Sequence, residues 1–281
     1  MRPLVSVCII SYNHAPYFEQ AIESVLVQER DFEIDIIICD DHSSDGTTDI
    51  IRRYASEYPH LIKAYYSVNN AGMHANWAKA LKLCSGKYIA LLESDDYWND
   101  RLKLQKQTAI LEKNQDVALC FTEAKIIYEN KRDGYPWYVE GKKEKYTQED
   151  LSMNNFIPTC TVMMRNFITD DYFSPAYYNS PFADWIIHFQ TASHGLLHFL
   201  NEPTATYRVH KGGVWGRIDE KKQLLNRLIV NKCLQEISKD NKTLSAILNA
   251  RKHWLQKTCH YFKTNGDYLN YLLYRIKLML N

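Results

Sequence analysis

Five apolar segments rich in Val, Ile and Tyr punctuate the first 125 residues: LVSVCIIS (4–11), EIDIIICD (33–40), IKAYYS (62–67), KYIALLES (87–94) and VALCFTE (117–123). Between them lie four stretches with helical spacing, YFEQAIESVLVQ (17–28), TTDIIRRYASEY (47–58), ANWAKALKLC (75–84) and RLKLQKQTAILEKN (101–114). In the first of these Phe18, Ile22, Val25 and Leu26 share one side; Ile50, Ile51 and Tyr54 do so in the second. Strand and helix alternating at this spacing predict βαβ units, hence an α/β fold with a mostly parallel central sheet and helices on both faces. Such a sheet binds its ligands outside the carboxyl ends of its strands.

The rhythm breaks after about residue 125. YENKRDGYPWYVEGKKEKYTQEDL (128–151) is polar and loop-like, and marks the edge of a first half. A strand-like PTCTVMM (158–164), a helix-like FADWIIHFQTASHG (182–195) and two short strands, LLHFL and ATYRV, follow, and from Asp219 onward the pattern is helical. The expected organisation is therefore residues 1–125, residues 126–218 as the second half of the same domain, and a helical extension over 219–281. A chain of 281 residues with 46% hydrophobic and 24% charged content can bury a sizeable core. Its net charge of +1 gives no global attraction to nucleic acid. No apolar run approaches the roughly 18 residues of a membrane span, and MRPLVSVCIISYNHAPY lacks a signal-peptide pattern. The seven cysteines show no C-x-x-C spacing, and Cys8, Cys39 and Cys120 sit in apolar runs, which favours a reducing cytosol over disulfides or zinc.

Polar groups gather where the sheet should bind. The first strand ends in Ser11-Tyr12-Asn13, the second in Asp40-Asp41, and the fourth in Glu93-Ser94-Asp95-Asp96. Each cluster has a bland alternative as helix capping, since Asp and Ser accept from the orphan N–H groups of a helix start. Capping does not, however, require all three to meet on one rim. There is no G-x-G-x-x-G and no G-x-x-x-x-G-K-[ST] loop, so the phosphate-cradling devices of dinucleotide and P-loop folds are missing. Three carboxylates within residues 93–96 repel one another unless a cation sits among them. Mg²⁺ or Mn²⁺, held by one or two carboxylates and the oxygens of a diphosphate, suits an acid pair after a buried strand.

Five blocks then carry a resemblance: VSVCIISYNHAPYFEQAIESVLVQ, IIICDDHSSDGTTDIIRRY, NNAGMHANWAKALKLCSGKYIALLESDDYW, ADWIIHFQTASHG and ATYRVHKGG. In order and spacing, over roughly residues 4 to 213, they resemble family 2 glycosyltransferases of the bacterial surface-polysaccharide type. The resemblance implies a GT-A, Rossmann-like fold, a nucleotide-sugar donor, Mn²⁺ or Mg²⁺, and inversion at the anomeric carbon. It implies that Tyr12, with the backbone of Ile10 and Ser11, lines the nucleobase pocket, and that Asp41 accepts from a base N–H, favouring uracil. It places Asp95 at the ribose and the metal, makes Asp96 a direct metal ligand, and offers His210 as a further one. Asn13 and Ser94 join the donor set, Arg208 or Lys211 would touch phosphate, and Asp184 of FADW matches the general base. Chemistry supports the last assignment, because inverting transfer needs one base opposite the leaving diphosphate. The bland alternative is that Asp184 caps the helix WIIHFQTA.

The chain also departs from the family pattern. Ala183 stands where many relatives have Glu, and His74 and Lys79 replace the basic group of the NNAGMHANWA block. Strand alternation predicts that Glu93 turns to the far side of the sheet, outside the site. Trp77 and Trp185 are expected in the core, while Trp137 and Trp215 are acceptor-site candidates. Residues 241–281 hold seven Lys or Arg against Asp267, a formal +6, and Leu269, Leu272, Leu273, Ile276 and Leu280 form a stripe beside them. That pattern fits either a basic amphipathic helix on an anionic membrane or a helix packed on the domain with a solvated face. The expected acceptor is a glycan or a lipid-linked glycan at a cytoplasmic location, with peripheral contact to the inner membrane face. Absence of Q-x-x-R-W argues against a processive synthase. A sugar nucleotidyltransferase would want a glycine-rich basic loop near the start, which is missing; a non-catalytic nucleotide or glycan binder on the same scaffold remains the other alternative.

Overall fold

A computed structural model describes residues 3–129, 135–136, 142–213 and 219–279. The predicted alternation appears as β1 (Val5–Ser11), α1 (Ala15–Leu26), β2 (Ile34–Asp40), α2 (Thr47–Glu57), β3 (Ile62–Tyr66), α3 (Met73–Leu83) and β4 (Tyr88–Glu93). A two-residue β5 (Tyr97–Trp98), α4 (Lys103–Lys113) and β6 (Val117–Tyr128) complete the first half. Every residue of β1 and β2 is buried, as expected of central strands covered on both faces.

The second half adds short pairings β7 (Tyr135–Pro136) and β8 (Lys145–Tyr146), a 3-10 turn at Gln148–Ser152, and β9 (Met163–Arg165). Then come α5 (Pro175–Asn179), α6 (Ala183–Ala192) and β10 (Leu196–Val209). The two short strands expected near 196 and 205 are one strand, paired with β6 in parallel and interrupted by register shifts around Pro203. Proline has no N–H to give a ladder, so an irregularity there is the natural accommodation. The sheet order is β3-β2-β1-β4-β9-β6-β10-β5. Its first four strands are parallel; β9 is wedged antiparallel between β4 and β6, so the two parallel groups never touch directly.

Period-two alternation splits the core between the two faces. Val5, Val7 and Ile9 pack with α1, α2 and α4; Cys8 and Ile10 pack with α3, α5 and α6. Trp77 and Trp185 are buried on the second face. All seven cysteines are buried free thiols. The extension forms α7 (Glu220–Ile237), α8 (Asn241–Thr264) and α9 (Tyr268–Met279), the first two capped by Asp219 and Asp240. No described helix is long and apolar enough to cross a membrane.

Candidate functional site

The carboxyl ends of β1, β2 and β4 open on a cavity of about 360 Å³ between the sheet rim and α6. Ile10, Ser11, Tyr12, Asp41, Asp95, Asp96 and Asp184 line it, joined by His14, Asn76 and Glu93, which the sequence reading had not placed there. Asn13, Ser94, Arg208, Lys211 and His210 stand outside its lining.

Two tight turns shape the side of the cavity formed by the ends of β1 and β2. Asn13 sits at φ 55 and its side-chain oxygen accepts from Ser44 N at 2.8 Å, so it braces the β2–α2 loop. Asp41 does not cap α2, whose N-cap is Gly46. Its two oxygens accept from Ala71 N (2.9 Å) and Gly72 N (2.8 Å). Gly72, at φ 88 where a side chain would be strained, begins α3. Asn76, one turn on, donates to the carbonyls of Cys39 (3.0 Å) and Ser11 (3.4 Å), locking the ends of β1 and β2 together. Tyr12 is left 45% exposed above this floor, free to cover a flat ring.

The acidic turn after β4 is held from two sides. Arg208 on β10 donates its backbone N–H to Asp96 Oδ1 (2.7 Å) and its Nε to the Asp95 carbonyl (2.8 Å). Its guanidinium also bonds Gln20 and lies over the Tyr17 ring, so it braces protein rather than facing the cavity. Lys211 is exposed. Asp96, expected as a direct metal ligand, gives only Oδ1 to this anchor; its Oδ2 is buried without a hydrogen-bond partner, and the residue lines the cavity. Beside it Asp95, His210 and His14 converge, their ligand atoms within 4.8 Å of one another. His210 Nε2 is 3.0 Å and His14 Nε2 3.7 Å from Asp95 Oδ2. Ser94 Oγ donates to Ser11 Oγ (2.9 Å) and lies 2.8 Å from His14 Nδ1. A carboxylate oxygen and two imidazole nitrogens this close can all turn lone pairs to one point, which is the donor chemistry of a cation site. The donor set therefore fits a divalent cation, and its imidazoles suit Mn²⁺ better than Mg²⁺.

Glu93 requires a correction. It does not point away from the site. It is the register partner of Ile10 across the β1–β4 ladder, and both belong to the face that looks toward α6. Burial, then the charges of Asp96, Asp95 and Asp184, hold its carboxyl well above the usual range, and Oε2 has no partner. Burial and Asp95 likewise raise Asp96, against the opposing Arg208 N–H. Burial also pushes Asp95 upward, but the His210 hydrogen bond and the fields of both histidines outweigh it, leaving Asp95 below its ordinary value.

Across the cavity, Asp184 lies in the first turn of α6, one residue past the N-cap-adjacent start, since the N-cap itself is Phe182. Asn155 Nδ2 donates to its Oδ2 at 2.8 Å, and Thr159 Oγ1 stands 3.5 Å away. Burial raises its pKa to about 6, against the N–H groups of Trp185 and Asp184 itself and against Thr159 and Asn155. Asn155 Oδ1 in turn lies 3.4 Å from Nδ1 of the buried His188. A carboxylate poised near neutrality at a cavity wall is suited to take a proton.

The family model for glycosyl transferase family 2 matches residues 6–172. The chain belongs to glycosyltransferase family 2. Among its relatives, the uncharacterized protein Rv1520 of Mycobacterium tuberculosis (strain ATCC 25618 / H37Rv) is 34% identical over 215 residues, covering 75% of this chain and 60% of that protein. WfaP of Escherichia coli, a UDP-Glc:alpha-D-GlcNAc-diphosphoundecaprenol beta-1,3-glucosyltransferase, is 43% identical over 95 residues, 34% of this chain and 36% of WfaP. The crystal structure of S. aureus TarS 1-349 in complex with UDP superposes with a TM-score of 0.67 at 16% identity, over 95% of this chain and 74% of that one. The architecture of this family member is accordingly the GT-A fold. The chain spans only about 60% of the length of the first curated relatives that it matches.

Four site residues escaped the sequence reading, among them Asn76, which ties the ends of β1 and β2 from within α3. Glu93 was recoverable from its register with Ile10. His14, a lone histidine after a turn, and Asn155, in a stretch without periodicity, carry no local signal; only the fold brings them to Asp95 and Asp184.

Proposed function

We propose that this family 2 enzyme moves a sugar, with inversion, from a UDP-linked donor to a hydroxyl of a glycan or lipid-linked acceptor in surface-polysaccharide assembly. The observation that carries the reading is one cavity with a cation-suited turn on one wall and a near-neutral buried carboxylate, Asp184, on the other. WfaP's diphosphoundecaprenol acceptor and the UDP held by TarS support the choice of substrates. Residues 1–125 would hold the donor, residues 126–218 the acceptor, and 219–281 form the extension.

The uracil would lie under Tyr12 over the Ile10–Ser11 backbone, with the remaining lone pairs of Asp41 available to a ring N–H. Asp95, His210 and His14 would hold the cation, which supplies positive charge where the leaving diphosphate develops its negative charge. Ionised Asp184 accepts the acceptor hydroxyl's proton as that oxygen attacks the anomeric carbon. The new C–O bond forms as the bond from the anomeric carbon to the diphosphate oxygen breaks, and the electron pair leaves with the diphosphate. Asn155 holds Asp184 in place and favours its ionised form. No second carboxylate and no covalent intermediate are needed.

Calorimetric titration with UDP and GDP, each with Mn²⁺ and with EDTA, tests the donor half on wild type and Asp95→Ala. Mn²⁺-dependent UDP binding that Asp95→Ala abolishes supports it. Equal binding in EDTA would remove the cation from the reading. A screen of UDP-sugars for hydrolysis and transfer then tests the chemistry.

A further inference from the structure

Helix α9 contributes no buried residue. Its inner side, Tyr274 and Leu278, packs on Leu224, Leu228, Trp254 and Leu255 of α7 and α8, and Tyr274 stacks on Phe262 at 5.5 Å. Its outer side is also apolar. Leu269 is 81% exposed, Leu272 58%, Leu273 46%, Ile276 56% and Met279 72%. At about 100° per residue these five fall within an arc of about 120°. Arg275 and Lys277 lie at its two borders, and α9 has no acidic residue. Over residues 241–279 the charge is seven Lys or Arg against Asp267, and Asp267 is bonded to Asn270.

We propose that α9 docks this enzyme on an anionic lipid bilayer, with the Leu269–Met279 stripe among the acyl chains and the flanking cations at the lipid phosphates. An apolar stripe bordered by long cations is the arrangement of an interfacial helix, whose charged heads stay in the headgroup layer. The charge selects this occupant over a second copy, because two such faces would bring like charges together. The extension also grips the base's half of the site. Trp254 Nε1 donates to the Met153 carbonyl (3.0 Å) and Asn231 Nδ2 to that of Ser152 (3.0 Å), just ahead of Asn155. A docked α9 thus ties the acceptor side of the cavity to a surface where a lipid-linked acceptor resides. This deepens the transfer reading but does not need it for the docking itself, so vesicle binding and UDP binding fail separately.

The test is flotation of the full chain with vesicles of phosphatidylcholine alone and of phosphatidylcholine mixed with phosphatidylglycerol. The expected result is at least tenfold stronger partition onto the anionic vesicles, weakened by salt. Leu272→Asp with Ile276→Asp should lower it at least tenfold. Arg275→Glu with Lys277→Glu should lower it by at least fivefold, since each cation near such a surface is worth about fivefold. All substituted side chains are solvent-exposed, and unchanged UDP binding in both variants shows that the enzyme is intact. Partition equal on the two vesicle types, none on either, or variants that bind like wild type would overturn the proposal. So would light scattering showing a dimer that Leu272→Asp with Ile276→Asp dissolves, which would assign the stripe to a second copy.

Discussion

Asp95 and Asp184 face the same cavity yet titrate in opposite directions, Asp95 below its ordinary value and Asp184 up to about 6. Burial pushes both upward. What separates them is the partner each fold element delivers. The turn after β4 meets His210 and His14; the His210 hydrogen bond and the fields of both outweigh desolvation. The first turn of α6 meets a neutral amide and a hydroxyl, which do not. The difference divides the labour: a carboxylate that stays charged can hold a cation, and one poised near neutrality can exchange a proton. Glu93 and Asp96, also buried but without imidazole partners, follow Asp184 upward, which isolates the histidines as the deciding groups.

The largest expected effect comes from removing the proton acceptor. Asp184→Asn keeps the Asn155 contact but has no basicity, so turnover should fall by about 10²–10⁴. UDP affinity with Mn²⁺ should stay within about twofold, because the loss is confined to the transition state. Single-turnover rates beside calorimetric binding check both halves; retained turnover would move the base elsewhere. Second in size is the other end of the cavity. His210→Ala should lower Mn²⁺-dependent UDP binding by at least about tenfold, and His14→Ala should lower it less, as a more distant neighbour of Asp95. The same titrations under EDTA should show no difference among the three proteins.

Much of this was visible in the chain before any coordinates. The strand and helix positions of the first half followed from period-two and 3.6-residue patterns, because two-sided burial in a parallel sheet leaves unbroken Val/Ile runs such as IDIIICD. Ile10, Tyr12, Asp41 and Asp95 could be gathered because strand ends must lie on one rim, whereas Asp184, in the first turn of a helix, was placed only by the family resemblance. What sequence could not decide is which of two adjacent carboxylates meets the cation-suited histidines. Asp95 and Asp96 are neighbours in the chain, but only the course of β10 settles that His210 reaches Asp95, 115 residues away, while Arg208 N takes Asp96. Strand β9 was blurred for a related reason. Three residues wedged between longer strands are too few for a period. Trp137 and Trp215, read as acceptor-site candidates, and Leu280 of the tail stripe lie outside the described residues.

The pH dependence sharpens the contrast next. The base role proposed for Asp184 requires the ionised form, so turnover should fall about tenfold per pH unit below roughly 6 and level off above it. Stability should run the other way. The folded protein holds the Asp184 proton up to about 6, whereas the unfolded chain releases it near 3.8, so the group's stabilising proton is fully present below 3.8 and lost as pH rises through 6. The span corresponds to about 3 kcal/mol. Asp184→Asn should lack that slope, and its melting temperature should rise relative to wild type between pH 5 and 8, on the order of a few degrees. Parallel slopes in the two proteins would mean that Asp184 titrates with no shift.

The smallest effect should come from Asn155, and it tests whether the amide tunes Asp184 or merely packs beside it. The Asn155 N–H favours the ionised carboxylate, and a hydrogen bond to a charged group is worth about 1.5–3 kcal/mol. Thr159 and the α6 backbone N–H groups remain to offset part of that loss. Asn155→Ala should therefore move the acid limb of turnover upward by about one pH unit. At pH 7 the ionised fraction then falls to roughly half, so turnover drops only about twofold, and it returns at pH 9. Asn155→Asp removes the donor and adds a like charge, and should shift the limb further in the same direction. UDP affinity is the internal control, because Asn155 bonds Asp184 and not the residues of the Tyr12 wall. A loss of turnover equal at every pH would show that Asn155 positions the carboxylate without setting its proton affinity, and the neutrality of Asp184 would then belong to burial alone.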